Sequence, residues 1–210
     1  ALSYAAIGGK LDIAEELINL GAKDINGALV SACEGNHFEL VKYFIENGAN
    51  VNTKAYIEPY RYYEGAERKY PITATTDINI IKELINAGAT NLNEAIIYNA
   101  KQTNRIDIIF NLLELGADIN AKNYGNEKTL LMYLIEKENP NIEAIKRIIE
   151  SGADINATDR NGNNILIRAV IFEYEKEEDG IYKTFSTPLE VMEELLKAGA
   201  NMTQRNIYGN

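Results

Sequence analysis

The sequence contains one pair of residues with the spacing of a nucleophile and its general base, Cys33 and His37. Four residues apart on a helix, a thiol and an imidazole would share one face, which is an arrangement that nucleophilic catalysis uses. Catalysis also needs a third group that orients the base and donors that stabilise an oxyanion, and neither is evident here. With one His and one Cys in the chain, a zinc site lacks ligands. We therefore interpret the pair as structural.

Two groups of acidic residues have the chemistry of a cation site. The sequence DRNGN from Asp159 lacks the Gly and Glu of a calcium loop at the required positions, and Asp and Gly also build tight turns. Residues 171–187 include an acidic run, which is typical of a solvated, partly disordered loop. Paired catalytic acids need burial and a fixed separation, and the run implies neither. We predict that the DRNGN sequence forms a turn and that residues 171–187 form a loop, and we expect no bound metal and no cofactor. The run consists of Glu173, Glu175, Glu177, Glu178 and Asp179.

A tyrosine-rich segment carries the chemistry of a binding surface. Tyr and Arg dominate binding hot spots because they offer a large, rigid area with a polar end. The alternative is that the rings pack back on the chain's own helices, and both interpretations stay open. The segment has five of the thirteen tyrosines together with an arginine: Tyr56, Tyr60, Arg61, Tyr62, Tyr63 and Tyr70.

A Gly-Ala pair that recurs six times indicates the elements that must position these residues. Ten residues before each Gly begins an apolar row with spacing i, i+3, i+7, beside a second row, which predicts a helix of about three turns. Glycine ends each helix because it adopts the left-handed C′ conformation without a Cβ penalty. The predicted second helices begin at Leu11, Phe38, Ile78, Ile106, Ile142 and Leu189. Shorter helices are predicted before most of them, at residues 2–6, 29–33, 96–100, 130–134 and 166–170.

These helical hairpins resemble the ankyrin repeat, in segments such as LDIAEELINLGA, FELVKYFIENGANVN and ADINATDRNGNNIL. The resemblance implies an all-α fold, an ankyrin-repeat solenoid of six helical hairpins with short β-turn fingers. The connections after Gly21 and Gly88 are six residues shorter than the one after Gly152, so two fingers are predicted to be missing. We expect a single domain, 1–210, with units at about 1–26, 27–52, 53–92, 93–120, 121–156 and 157–203 and the start of a further unit at 204–210. We also expect the chain to be cut from a longer array.

Two places depart from the repeat pattern. In the third unit, a long finger followed by a short helix from Pro71 competes with a helix near Pro59 and an extended turn; we favour the first. Before the last helix, Thr187 is predicted to be an N-cap, with Pro188 as the first helical residue and Glu190 completing a capping box.

The composition and the resemblance together favour a protein-binding function. The chain has 31 acidic against 21 basic residues and a net charge of −10, which opposes binding to nucleic acid. No apolar run is long enough for a membrane span, and one Cys excludes a disulfide framework. We expect a monomer, cytoplasmic by default in the absence of a secretory leader.

The resemblance implies a non-catalytic protein–protein interaction module that binds another protein through its fingers, its first helices and the tyrosine-rich segment. A passive spacer within a larger repeat protein and an enzyme using residues 171–187 are the alternatives. The predicted contact residues are Tyr56, Tyr60, Arg61, Tyr62, Tyr63, Tyr70, Lys122, Tyr124, Arg160 and Asn161. Further positions on the first helices are Ile7, Glu34, Lys101, Gln102 and Glu136.

Overall fold

The computed structural model describes residues 1–56, 68–101, 105–178 and 181–209, without the side chains of 174–178 and 181–185. Within these ranges helices follow one another in pairs, with a two-stranded sheet before the last helix. The elements are α1 (Leu2–Ile7), α2 (Leu11–Asn19), α3 (Ile25–Glu34), α4 (Phe38–Glu46), α5 (Pro71–Ala74), α6 (Ile78–Asn86), α7 (Leu92–Lys101), α8 (Ile106–Glu114), α9 (Leu130–Ile135), α10 (Ile142–Glu150), α11 (Ile165–Ile171), β1 (Glu173–Glu178), β2 (Ile181–Ser186) and α12 (Leu189–Lys197).

The six second helices begin at the residues that the apolar rows predict. Each buries the inner part of its apolar face; in α6 these residues are Ile80, Ile81 and Leu84. The glycine after each helix has φ between 86° and 97°, which confirms the left-handed ending. A residue with a Cβ would be strained there, so the recurring glycine is a requirement of backbone geometry.

The predicted first helices are also present, and they form the more buried layer. In α3, every residue from Gly27 to Cys33 is buried, and the Asp24 carboxylate caps the helix by accepting a hydrogen bond from the Gly27 amide. The short helix α5 begins at Pro71, as the favoured register of the third unit predicts; most of its long finger and the alternative helix near Pro59 lie outside the described residues. Small side chains in these helices, such as Ala28 and Ala32, allow close approach between neighbours.

The chain forms two compact units, Ala1–Ala95 and Ile96–Asn210. In the first unit α3 packs between α1 and α5, and α4 packs beside α6. In the second unit α9 packs beside α11, and α10 beside α12. Like helices therefore stack side by side, as expected of repeats that bury their apolar faces against neighbours. The unit boundaries proposed from the sequence stay predictions.

An asparagine four residues after the helix-ending glycine connects successive repeats. The Asn120 side chain accepts a hydrogen bond from the Asp154 amide (2.7 Å) and donates one to the Gly152 carbonyl (3.5 Å). Asn52 and Asn156 make the equivalent pair of contacts in their own units. These bonds hold each finger base against the next repeat.

The insertion before α12 differs from its prediction in two respects. It was expected to be a partly disordered loop, but its backbone pairs as an antiparallel hairpin with Glu173 opposite Ser186. Thr187 was expected to cap α12, but Pro188 has extended backbone (φ −59°, ψ 144°) and is itself the N-cap. The helix therefore starts one residue later, and among the described residues the buried Thr187 hydroxyl has no hydrogen-bond partner.

Candidate protein-interaction surface

Cys33 and His37 have structural roles. Cys33 is fully buried, and this burial raises the pKa of its thiol, so the reactive thiolate is disfavoured. His37 donates a hydrogen bond from Nε2 to the Ile7 carbonyl at 3.0 Å. Its ring lies against Gly9 and Gly35, where an added Cβ would stand 2.7 Å and 2.5 Å from ring carbons. The imidazole therefore connects the end of α1 with the turn that follows α3. These surroundings agree with the structural interpretation of the pair.

Only the two ends of the tyrosine-rich segment are described. Tyr60, Arg61, Tyr62 and Tyr63 lie outside the described residues. Tyr56 is 39% exposed, with the Arg68 guanidinium 5.9 Å from its ring centroid. Tyr70 is half-buried, and the Lys54 ammonium lies 4.7 Å from its ring centroid. Cations over aromatic faces stabilise both rings at the base of the segment.

The base of this segment is closed by backbone pairing. The amide of Ala55 donates to the Lys69 carbonyl at 3.0 Å, and the amide of Lys69 donates to the Ala55 carbonyl at 2.9 Å. The Lys69 ammonium also forms an ion pair with Glu34 at 3.0 Å. Glu34, a predicted contact position on the first helices, is thus engaged within its own unit.

The four predicted finger residues Lys122, Tyr124, Arg160 and Asn161 lie together in the second unit. The Lys122 ammonium donates to the Thr158 carbonyl at 2.8 Å, and the Arg160 guanidinium donates to the Tyr124 carbonyl at 3.1 Å. The Asn161 carbonyl accepts a hydrogen bond from the following finger, from the amide of Ile207 at 3.0 Å. The Tyr124 side chain is 98% exposed. We call these four exposed residues the finger row: hydrogen bonds hold each finger to the next, and the side-chain ends of Tyr124 and Asn161 make none of these bonds.

Asp159 organises the middle finger of this row. Its carboxylate is buried and accepts hydrogen bonds from the amides of Asn161 and Asn163, both at 2.9 Å, and from the Asn163 side chain at 3.0 Å. Gly162 completes the turn with φ at 73°. The turn predicted for this sequence is confirmed, and the Asp159 oxygens accept hydrogen bonds from within that turn.

A cluster that the sequence does not reveal lies on the first helices of the second unit. The Glu136 carboxylate forms ion pairs with Lys128 (2.6 Å) and with Arg168, and its side chain is only 8% exposed. The ammonium groups of Lys101 and Lys128 lie 5.8 Å and 5.6 Å from the centroid of the Tyr133 ring. Glu136 was a predicted contact residue; its burial makes it the internal counter-ion of two cations instead. Lys101 and Arg168 come from the repeats before and after the one that holds Lys128, Tyr133 and Glu136, so the sequence spacing does not indicate that they meet.

Neither a membrane helix nor a metal cluster is found in the part of the chain that the structure describes. None of the described helices is long and apolar enough to cross a bilayer. Among the same residues, no three His, Cys, Asp or Glu side chains are grouped so that they could hold a metal ion.

Comparison with solved structures shows the fold. The chain matches the human ASB11 ankyrin repeat domain with a TM-score of 0.64 and 21% identity, over 100% of this chain and 88% of that one. It matches the ankyrin repeat domain of Bcl-3, a member of the IκB protein family, with a TM-score of 0.66 and 18% identity, over 100% of this chain and 90% of that one. The predicted all-α helical-repeat fold is confirmed, with the hairpin β1–β2 as an insertion in it.

Comparison with protein sequences shows the family. An ankyrin repeat and KH domain-containing protein of Caenorhabditis briggsae is 43% identical over 60 residues, which is 26% of this chain and 2% of that protein. The chain thus spans a small fraction of the length of that relative. A family model described as ankyrin repeats (3 copies) matches residues 1–55 and 96–206, well over half of the chain. The chain therefore belongs to the ankyrin repeat family.

Proposed function

We propose that this protein binds a partner protein through the finger row, with the tyrosine-rich segment as a second contact surface. Ankyrin repeats are generally protein–protein interaction modules, and the family is generally non-enzymatic. Membership in the family supports the class of function. The choice of surface is supported by the geometry of this chain.

The observation that carries the proposal is a nearly fully exposed tyrosine on a fixed backbone. Tyr124 is 98% exposed, while its carbonyl is held by Arg160 of the next finger. The amide of Arg160 in turn donates to the Asn126 carbonyl at 3.0 Å. An exposed aromatic ring on a preorganised loop loses little conformational entropy on binding, which is the property of a hot-spot residue.

The tyrosine-rich segment supports a second contact by composition and by its closed base. The backbone at its two ends is joined by the bridge between Ala55 and Lys69, so the segment begins and ends at a fixed stem. Tyr56 is partly exposed at that stem. The alternative, that the rings pack on their own unit, predicts that the tyrosines are protected from solvent and do not affect binding.

Affinity capture with matched variants tests the two surfaces separately. Immobilised wild-type chain and the double variant Tyr124→Ala/Asn161→Ala are incubated with the same native lysate. No described hydrogen bond of the finger row uses the Tyr124 or Asn161 side-chain ends, so we expect the finger to keep its backbone contacts. Glu143→Ala/Glu150→Ala on α10, also exposed, is the control for nonspecific loss.

We expect the finger-row variant to lose specific partners that the wild type and the α10 control both retain. A triple variant, Tyr60→Ala/Tyr62→Ala/Tyr63→Ala, tests the second surface in the same way. If every bound protein is recovered equally by the finger-row variant and by the wild type, the proposed contact is wrong. If the triple variant recovers every bound protein as well as the wild type does, only the tyrosine-rich segment is rejected as a contact surface.

A further inference from the structure

Three successive fingers of the second unit carry an aromatic, a cationic and an aliphatic side chain at equivalent positions. Each lies eight residues after the glycine that ends the preceding second helix: Tyr124 after Gly116, Arg160 after Gly152 and Ile207 after Gly199. We call Tyr124, Arg160 and Ile207 the tip triad. All three are exposed. Stacking of the repeats therefore brings three residues that are far apart in the sequence into one row.

Backbone hydrogen bonds fix the spacing of the tip triad. The Arg160 amide donates to the Asn126 carbonyl, and the Ile207 amide donates to the Asn161 carbonyl, both at 3.0 Å. Each bond joins the segment that returns from one tip to the next tip, so equivalent tips lie two segments apart. At the spacing of adjacent strands this distance is about 10 Å. An extended peptide rises about 3.3 Å per residue, so every third side chain of such a peptide would meet a tip.

The outer members of the tip triad offer apolar surface. Tyr124 is 98% exposed, Ile207 is 66% exposed, and the neighbouring Tyr208 is 69% exposed. Single exposed apolar side chains are common on proteins. These side chains, however, stand on backbone that is already fixed, so a partner that covers them pays little additional conformational entropy. Both ends of the row therefore favour apolar groups of a partner.

Arg160, the central member, has donors left for a carboxylate. Its guanidinium donates to the Tyr124 carbonyl at 3.1 Å, and the nearest printed distance to Glu127, from Nε to Oε1, is 3.7 Å. The two side chains are 58% and 48% exposed, and an exposed ion pair of this length stabilises by about 1 kcal/mol or less. A guanidinium has five N–H donors and binds a carboxylate through two parallel hydrogen bonds. An incoming carboxylate is thus able to displace Glu127.

We propose that the tip triad binds an extended segment of the partner protein in which a carboxylate at Arg160 is flanked by apolar side chains at Tyr124 and Ile207. The flanking residues stand about three positions before and after the acidic one. This inference rests on the proposed protein-binding function and names the chemistry of the partner. Glu127 is then an internal counter-ion that the ligand replaces.

A single-stranded nucleic acid is the less favoured ligand. Its bases stack on aromatic rings and its phosphates bind arginine, so it shares part of this chemistry. The chain has a net charge of −10, which repels a polyanion, and the one arginine of the tip triad already has a carboxylate nearby.

Titration with matched probes of equal length tests the chemistry. The first probe is a fluorescein-labelled serine-rich peptide with a central glutamate and a leucine about three residues to either side. A second peptide has glutamine in place of the glutamate, a third has serine in place of the leucines, and the fourth probe is an oligothymidylate. We expect the first peptide to raise fluorescence anisotropy and to shift the amide NMR signals of Tyr124, Arg160 and Ile207. Either replacement should weaken binding about fivefold.

Three results of this titration would each overturn the proposal. They are no binding at millimolar peptide, equal binding of either replacement peptide, and tighter binding of the oligothymidylate.

Two variants with opposite expected effects test the place. Arg160→Gln should weaken binding of the glutamate peptide about fivefold, whereas Glu127→Gln should strengthen it about twofold because it removes the competing carboxylate. The controls, Lys82→Gln on α6 and Glu150→Gln on α10, make the same changes of net charge at exposed positions of the second helices and should leave binding unchanged.

Glu127→Gln keeps the test decisive even if Arg160→Gln disturbs its finger, because the hydrogen bond between Arg160 and Tyr124 does not involve Glu127. Weaker binding by Glu127→Gln, or effects no larger than those of the controls, would show that the assignment is wrong.

These outcomes are independent of the capture experiment. Capture of a partner that depends on the finger row, without preference for the glutamate peptide, would reject the acidic chemistry and keep the proposed function. Capture that the finger-row variant leaves unchanged, together with no peptide binding, would reject both.

Discussion

Replacing Asp159 by alanine removes the acceptor around which the middle finger of the finger row folds. The buried carboxylate accepts three hydrogen bonds, at 2.9, 2.9 and 3.0 Å, from the backbone and side chain of the same turn. At about 1 kcal/mol of net stabilisation each, their loss is expected to lower the free energy of unfolding by about 3 kcal/mol. Water cannot readily replace the carboxylate, because Asp159 is only 6% exposed.

The matched control lies in the same connection between helices. Asp154 carries the same charge and is exposed, and its carboxylate accepts one hydrogen bond, from the Asn156 amide at 2.9 Å. Asp154→Ala is therefore expected to cost about 1 kcal/mol or less. Urea unfolding followed by far-UV circular dichroism measures both changes, and hydrogen exchange reports whether the Asn161 and Asn163 amides lose protection. Equal costs for the two variants would refute the role assigned to Asp159.

Three further perturbations have definite expected outcomes. Ile135→Ala should lower the free energy of unfolding by about 2–5 kcal/mol, because Ile135 is 0% exposed. Val170→Ala, at the equivalent helix position one repeat later, should change it by less than about 0.5 kcal/mol, because Val170 is 65% exposed. Similar losses for the two variants in chemical denaturation would contradict this. Cys33 should resist alkylation in the native protein and react in denaturant, because burial raises its thiol pKa; mass spectrometry that finds native labelling as fast as denatured labelling would refute the burial. Gly9→Ala should lower the melting temperature more than Gly21→Ala, because both have positive φ but only the first would place its Cβ against an imidazole ring, at 2.7 Å; equal melting temperatures would argue against that packing.

The helices were predictable because each signal is local. A helix-ending glycine and two apolar rows at helical spacing lie within a dozen residues, so the second helices could be placed at their first residue. The short helix at Pro71 followed from similar reasoning, since proline is favoured at the first helical position. The predicted Thr187 cap was wrong because proline is compatible with both the N-cap position and the first helical position. Pro188 has extended backbone and is the N-cap, so the helix begins at Leu189.

The insertion shows where local signals fail. Its acidic composition suggests a solvated loop, but the backbone of residues 173–178 pairs with that of 181–186. Strand pairing depends on which segments meet, and a charge count carries no information on that. The role of Glu136 was missed for a similar reason. It was counted as an outward first-helix position, but its nearly buried carboxylate pairs with Lys128 of the same repeat and with Arg168 of the next one.

The family resemblance, the placement of the repeated helices and the turn chemistry of the fingers can be predicted from local patterns, because glycine conformation and apolar periodicity act over neighbouring residues. Which polar side chains meet between repeats is visible only in the folded chain. The contacts of Arg160 with Tyr124, of Lys122 with Thr158 and of Lys101 with Tyr133 join residues distant in sequence. Such contacts depend on how the repeats stack, since stacking sets the distances between side chains that no local pattern relates.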